Sequence, residues 1–282
     1  MEGGFRLIAH RGASAHAPEN TLPAFDLALE HGAREVELDV RFSADEELVV
    51  FHDDALDRKT ALRGRVRHYP ADVLYQTDIG RWFDRTHAEA DRRYEGTSIC
   101  GLATIFGHLG SGVRYHVEMK GFEDLLALRL LEMIDRFGLR EVVTVTSFSM
   151  RPLLQMRRLA PELPLCLLLR DAFDAVRSAE FRPELEGKSV EAVQEYWIDQ
   201  AASSDFQQIG VRAARLSPRT AAHAAARGLE VRGWGVRTEA DLLHLFDLGA
   251  VGTTVDWPRR AGEILRAKRR SPEGERSERS PD

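Results

Sequence analysis

From Val113 onward the chain repeats one pattern. A short apolar run is followed by a stretch with apolar residues at helical spacing, often closed by glycine. VRYHVEMK precedes EDLLALRLLEMIDRFG, with Gly138 as stop signal, and EVVTVTSF precedes MRPLLQMRRLAP. LPLCLLL precedes a longer mixed region containing VEAVQEYWIDQAA, while VRAARLS, LEVRGWGV and VGTTVDW each lead into a further helical stretch. Strands alternating with helices pair in parallel through right-handed crossovers. Adding RLIAHRG and REVELDV from the N-terminal part gives eight such units, the number that closes a (β/α)8 barrel in roughly 250 residues. The expected fold class is therefore α/β, a TIM-type barrel. The alternative is an open doubly wound sheet, but no Gly-rich phosphate loop marks a switch point.

One segment breaks the alternation. REVELDV is followed within a few residues by a second β-like run, ELVVFHDD, too close for a parallel crossover, so the two must form an antiparallel hairpin. A turn centred near Asp45 and Glu46 would set Asp39 opposite His52 and bring His52 back over the barrel mouth. Residues 54–97 do not fit the βα rhythm and read as a small inserted subdomain over the C-terminal mouth, where barrels of this kind build their sites. The expected organisation is one catalytic barrel domain over 1–266, followed by a disordered charged tail over 267–282.

Composition narrows the partners. With 43% hydrophobic residues the chain can bury a sizeable core, and 39 Lys+Arg against 45 Asp+Glu leave a net charge of -6, which disfavours a nucleic-acid binder. The two cysteines, Cys100 and Cys166, supply neither a disulfide framework nor zinc-ligand spacing. No secretory signal or membrane-length apolar run is visible, so a cytoplasmic location is expected.

Strand periodicity then sorts the polar residues. Glu37 and Asp39 share one face of the second strand, and Glu118 and Lys120 share one face of VRYHVEMK. Three carboxylates from neighbouring strands are costly to bury unless paired or coordinating, and they form a hard oxygen set suited to Mg²⁺ or Ca²⁺. The competing reading is an ion-pair cluster with Arg11, Arg41 and Lys120. His10 and His52 both end β-like runs over the same predicted mouth, where an imidazole can move a proton near neutral pH. His116 shares a face with Glu118 one layer deeper and reads as a satisfied core histidine. Glu19 and Asn20 fall where the first helix begins, with Asn20 or Thr21 as cap, and read as scaffold.

These residues carry a resemblance. HRG followed by PENTLPAF, then E-x-D in ELDV, VVFHD and HVEMK, resembles the glycerophosphodiester phosphodiesterase family. TSF at Thr146–Phe148, VRGWGV around Trp234 and LGAVGTTVDWP continue the likeness in order, from about Leu7 to Pro258. It implies a barrel with an insertion after the HD strand and one divalent cation, Mg²⁺ or Ca²⁺, held at Glu37, Asp39 and Glu118. It further implies His10 and His52 as the acid/base pair, Arg11 and Lys120 facing the phosphate, and Trp234 packing on the glycerol. The implied reaction is hydrolysis of a small glycerophosphodiester to sn-glycerol 3-phosphate and an alcohol. Lysophospholipase D-type action on lipid headgroups and a non-catalytic phospho-ligand barrel are the alternatives. The chain departs from the family where Trp234-Gly235-Val236-Arg237 stands for Trp-Thr-Val-Asn, and Ile99-Cys100-Gly101-Leu102 for Ile-Pro-Thr-Leu.

Overall fold

A computed structural model describes residues 4–90, 92–121, 123–170 and 183–270. Eight parallel strands close on themselves: β1 (Arg6–His10), β2 (Glu35–Phe42), β5 (Arg114–Met119), β6 (Val143–Ser147), β7 (Leu165–Leu168), β8 (Gln208–Arg212), β9 (Glu230–Trp234) and β10 (Gly252–Val255). Closure comes from β1, which pairs with β10 on one side (Ala9 beside Val255) and β2 on the other (His10 beside Glu37). The open-sheet alternative is thereby excluded.

Helices run between the strands. They are α1 (Leu22–Glu30), α4 (Leu102–Leu109), α5 (Leu126–Phe137), α6 (Met150–Leu159), α7 (Val190–Ser203), α8 (Pro218–Ala226), α9 (Glu239–Asp247) and α10 (Pro258–Arg269). Helix α2 (Ala71–Tyr75) and helix α3 (Gly80–Thr86) belong to the insertion. Helix α5 shows why the periodicity was readable: Leu126, Ala127, Leu130, Leu131 and Ile134 form its buried stripe. It stops at Gly138, whose φ of 65° lets its N–H reach back to the Asp135 carbonyl.

The hairpin forms with β3 (Leu48–Val50), but one residue away from the expected register. Val40 faces Val50 and Phe42 faces Leu48, so Asp39 lies across from Phe51, whose N–H donates to the Asp39 carbonyl at 3.0 Å. The cause is the turn. Asp45 forms its apex, accepting from the Ser43 hydroxyl and from the Ala71 N–H, and Ser43 N–H closes the loop on the Glu47 carbonyl. His52 therefore follows the paired strand rather than ending it.

The insertion leaves along β3 and returns along β4 (Cys100–Gly101), which pairs antiparallel with β3. Between them Val49, Phe51, Leu56, Val66, Leu74, Ile79 and Ile99 form a second small core. This region lacked a βα pattern because its apolar residues converge from turns and short helices. Two boundaries also shift: the strand of the sixth unit is Gln208–Arg212 rather than VRAARLS, and α10 runs through Arg269, past the expected boundary at 266. Residues 271–282, the rest of the expected tail, lie outside the described residues. Among the described residues no helix is long and apolar enough to cross a membrane.

Candidate active site

Strands β1, β2 and β5 are neighbours in the barrel and carry the candidate residues side by side. In parallel register Asp39 sits beside Glu118, and Glu37 beside His10, so period-2 alternation aims Glu37, Asp39 and Glu118 at a common point. All three are buried, each offering an oxygen within 4.8 Å of the others.

Two backbone features hold the first strand's end in place. Arg11 and Asn20 both adopt positive φ, 57° and 61°, a costly state for residues with a Cβ. They are tied together: Arg11 N–H donates to the Glu37 carbonyl, and Asn20 N–H donates to the Arg11 carbonyl. Gly12 is forced, because a Cβ there would stand 2.5 Å from the Ala24 carbonyl carbon of α1.

Around the carboxylates the cations are unevenly shared. Lys120 Nζ lies 2.6 Å from Glu118 Oε1 and 3.2 Å from Asp39 Oδ1, and Arg11 Nε lies 3.1 Å from Asp39 Oδ2. Arg41 does not join them; its guanidinium donates to the His52 and Lys120 carbonyls and braces the loop. Glu37 accepts from the Arg11 N–H at 3.2 Å and has His10 Nε2 at 3.9 Å. Burial, with the Asp39 charge, pushes the Glu37 carboxyl up to about 7. Asp39 is also buried, but Lys120 and Arg11 hold it well below its ordinary range. Its Oδ1 is buried without a hydrogen bond. Three convergent hard donors, whose charge Lys120 and Arg11 match only in part, fit a divalent cation. An ion-pair cluster alone would leave the remainder uncompensated.

Each histidine has its own carboxylate. His10 Nδ1 lies 2.6 Å from Asp256 Oδ1, and Ser14 Oγ donates to the same oxygen at 2.9 Å. Burial and Arg11 oppose a charged His10, yet Asp256 and Glu37 prevail and raise its pKa above 6.5. His52 Nδ1 lies 2.8 Å from Asp53 Oδ1. There burial, aided by Lys120 and Arg11, outweighs Asp53 and Asp39 and lowers the pKa below 6.5. The two rings line one cavity of about 290 Å³ together with Arg11, Lys120, Phe148 and Trp234. A larger cleft, about 850 Å³, lies beside α10 and the insertion and holds none of the predicted site residues.

Trp234 is not core. It stands on the cavity wall edge-on to Phe148, ring centroids 5.2 Å apart, with its indole nitrogen buried and unpartnered. His116 is the satisfied core histidine expected of it, bonded to Glu35 at 2.7 Å and facing Arg232 Nη1 at 3.1 Å.

The profile of the glycerophosphoryl diester phosphodiesterase family matches residues 10–260. The chain belongs to that family. The family's glycerophosphodiester phosphodiesterase from Bacillus subtilis (strain 168) is 27% identical over 260 residues, covering 89% of this chain and 83% of that one. The crystal structure of a glycerophosphodiester phosphodiesterase from Agrobacterium tumefaciens superposes with a TM-score of 0.71 at 26% identity, covering 92% of this chain and 100% of that one. An Oleispira antarctica phosphodiesterase, solved in complex with the product sn-glycerol-3-phosphate, shares the fold with a TM-score of 0.76 at 24% identity over 93% and 96% of the two chains.

Reading the sequence missed the contacts that four side chains make with the candidate site residues: Asp256, Asn20, Glu19 and Asp53. Asn20 caps nothing. Its amide donates to Asp39 Oδ2 at 2.8 Å and its carbonyl oxygen accepts from the Asp39 N–H. Thr21 is the N-cap residue of α1, but its hydroxyl donates back to the Pro18 carbonyl. Glu19 accepts from Arg11 Nη1 at 3.0 Å. The available signal was the PENT, VVFHD and VDWP motifs themselves, whose polar residues a scaffold role does not need.

Proposed function

We propose that this chain hydrolyses glycerophosphodiesters to sn-glycerol 3-phosphate and an alcohol. The observation that carries this is the cluster of Glu37, Asp39 and Glu118 with two carboxylate-held imidazoles of opposite shift beside it. The names of its relatives support the substrate class.

Glu37, Asp39 and Glu118 would hold Mg²⁺ or Ca²⁺, which when bound supplies Lewis-acid polarisation of a phosphoryl oxygen. The chain's own residues do the rest. His52, favoured neutral and oriented by Asp53, presents its second nitrogen as a base to the nucleophile, either water directly or the substrate's own glycerol hydroxyl, in which case water then opens the resulting cyclic phosphate to sn-glycerol 3-phosphate. His10, favoured charged and oriented by Asp256, gives a proton to the departing alkoxide. Arg11 and Lys120 place fixed positive charge beside the phosphoryl group, and Trp234 with Phe148 offers an apolar wall to the glycerol carbons.

Soluble substrates are favoured over lipids. Lipid-headgroup cleavage calls for an apolar mouth, whereas most large apolar residues of the insertion pack into its own core, Val73 and Tyr75 excepted. The test is release of sn-glycerol 3-phosphate from glycerophosphoethanolamine by the metal-supplemented protein, followed with glycerol-3-phosphate dehydrogenase. Release that falls by at least about 100-fold in His10→Ala and in His52→Ala supports the reading. No release from the wild type rejects it.

A further inference from the structure

The insertion sends one cation into the interior of the molecule. Lys59 has a fully buried side chain, and its Nζ lies 2.6 Å from Glu19 Oε1 and 3.2 Å from Asp53 Oδ2. The rings of Trp82 and Phe51 stand 5.4 and 5.6 Å from the same nitrogen. A buried ammonium is retained only where its partners compensate the lost hydration, and here two carboxylates and two aromatic faces do so.

Those carboxylates each serve one arm of the site. Asp53 holds His52 Nδ1, and Glu19 holds Arg11 Nη1, while Arg11 Nε reaches Asp39. One unbroken polar chain therefore runs His52–Asp53–Lys59–Glu19–Arg11–Asp39. Asp53 has a second cation, Arg58, but that side chain is 63% exposed and approaches from solvent. Lys59 is the interior contact, the one that sets Asp53 at a fixed distance from Glu19.

We propose that Lys59 is a positioning residue. It locks the imidazole arm and the phosphate arm of the site at a set separation, which makes the insertion part of the catalytic frame rather than a cover. This rests on the roles given above to His52 and Arg11.

The test is Lys59→Met in the full, metal-supplemented chain, with kcat, KM and Tm measured beside the wild type, Asp53→Asn and the double variant. At a temperature where every variant is folded, Lys59→Met should lose 10- to 100-fold in kcat. The double variant should lose clearly less than the product of the two single losses, because the two changes share the arm through His52, while Lys59→Met acts also through Glu19 and Arg11. Lys59→Arg should recover part of the loss. A merely structural lysine would lower Tm and leave kcat within twofold, and its loss would multiply with that of Asp53→Asn; either result overturns the proposal. If Lys59→Met does not fold, Lys59→Gln, which still donates to one carboxylate, is judged by the same criteria. An inactive wild type removes both this role and the phosphodiesterase reading, whereas an active wild type with an unimpaired Lys59→Met removes only the role of Lys59.

Discussion

His10 Nδ1 and Asp256 Oδ1 stand 2.6 Å apart although 246 residues separate them in the chain. The contact exists because β1 and β10 are neighbours in the closed barrel. It fixes which His10 nitrogen faces the cavity and favours the charged ring. Asp256→Asn is therefore expected to lower kcat about 10- to 100-fold with little change in Tm, since this carboxylate lies at the open rim. Steady-state kinetics with glycerophosphoethanolamine checks this. An unchanged kcat would show that His10 needs no orienting partner.

The opposed shifts of the two histidines give the pH profile a direction. His52 must be neutral to accept a proton, and its pKa lies below 6.5, so the acid limb of kcat should fall below that pH. His10 must be protonated to donate, and its pKa lies above 6.5, so the alkaline limb should fall above it. The active window lies between the limbs. Asp256→Asn should move the alkaline limb to lower pH and leave the acid limb in place. A window lying wholly below 6.5 would contradict the raised pKa of His10.

Asn20 is bonded to Asp39, one of the three carboxylates proposed to hold the cation. Asn20→Gly tolerates the positive φ and removes the amide, so it separates the side chain from the backbone strain. It should weaken Mg²⁺ or Ca²⁺ binding about 10- to 100-fold by titration calorimetry, a range typical of ligand-supporting partners. Asn20→Ala should weaken binding equally and lose about 1–2 kcal/mol of stability besides. Unaltered affinity in both variants would return Asn20 to a scaffold role.

Deeper in the barrel His116 makes stability depend on pH. Burial, with Arg232 beside it, pushes its pKa down to about 4, against 6.5 for a free ring. Between those values the unfolded chain binds a proton that the folded one does not, so stability falls as pH drops from 6.5 towards 4. The full effect is about 3 kcal/mol. His116→Asn should be less stable than wild type at pH 7 yet lose less on acidification, as urea denaturation at several pH values would show. Parallel losses in the two proteins would place the acid sensitivity elsewhere.

What could be read from the sequence follows from the range of the physics involved. Strand alternation is local, so Glu37, Asp39, Glu118 and the order of the strands were legible. The His10–Asp256 pair was not, because only barrel closure creates it. Asn20 was read as a cap from its place before α1, yet a buried Asp39 carboxylate has the stronger claim on that amide. The hairpin register depended on a side-chain bond from Ser43 to Asp45, which alternation does not encode. Lys59 was invisible because the insertion has no period at all. Its meaning comes from the two carboxylates it joins.

The central claim is that Glu37, Asp39 and Glu118 hold a divalent cation on which glycerophosphodiester cleavage depends. The most direct measurement is sn-glycerol 3-phosphate release by chelator-stripped protein as Mg²⁺ or Ca²⁺ is added back, for the wild type and Glu118→Gln. The account predicts no release when stripped, recovery that saturates at one bound ion per chain, and a large rightward shift or loss of recovery in the variant. Full turnover by the stripped wild type, or identical recovery in Glu118→Gln, would contradict it.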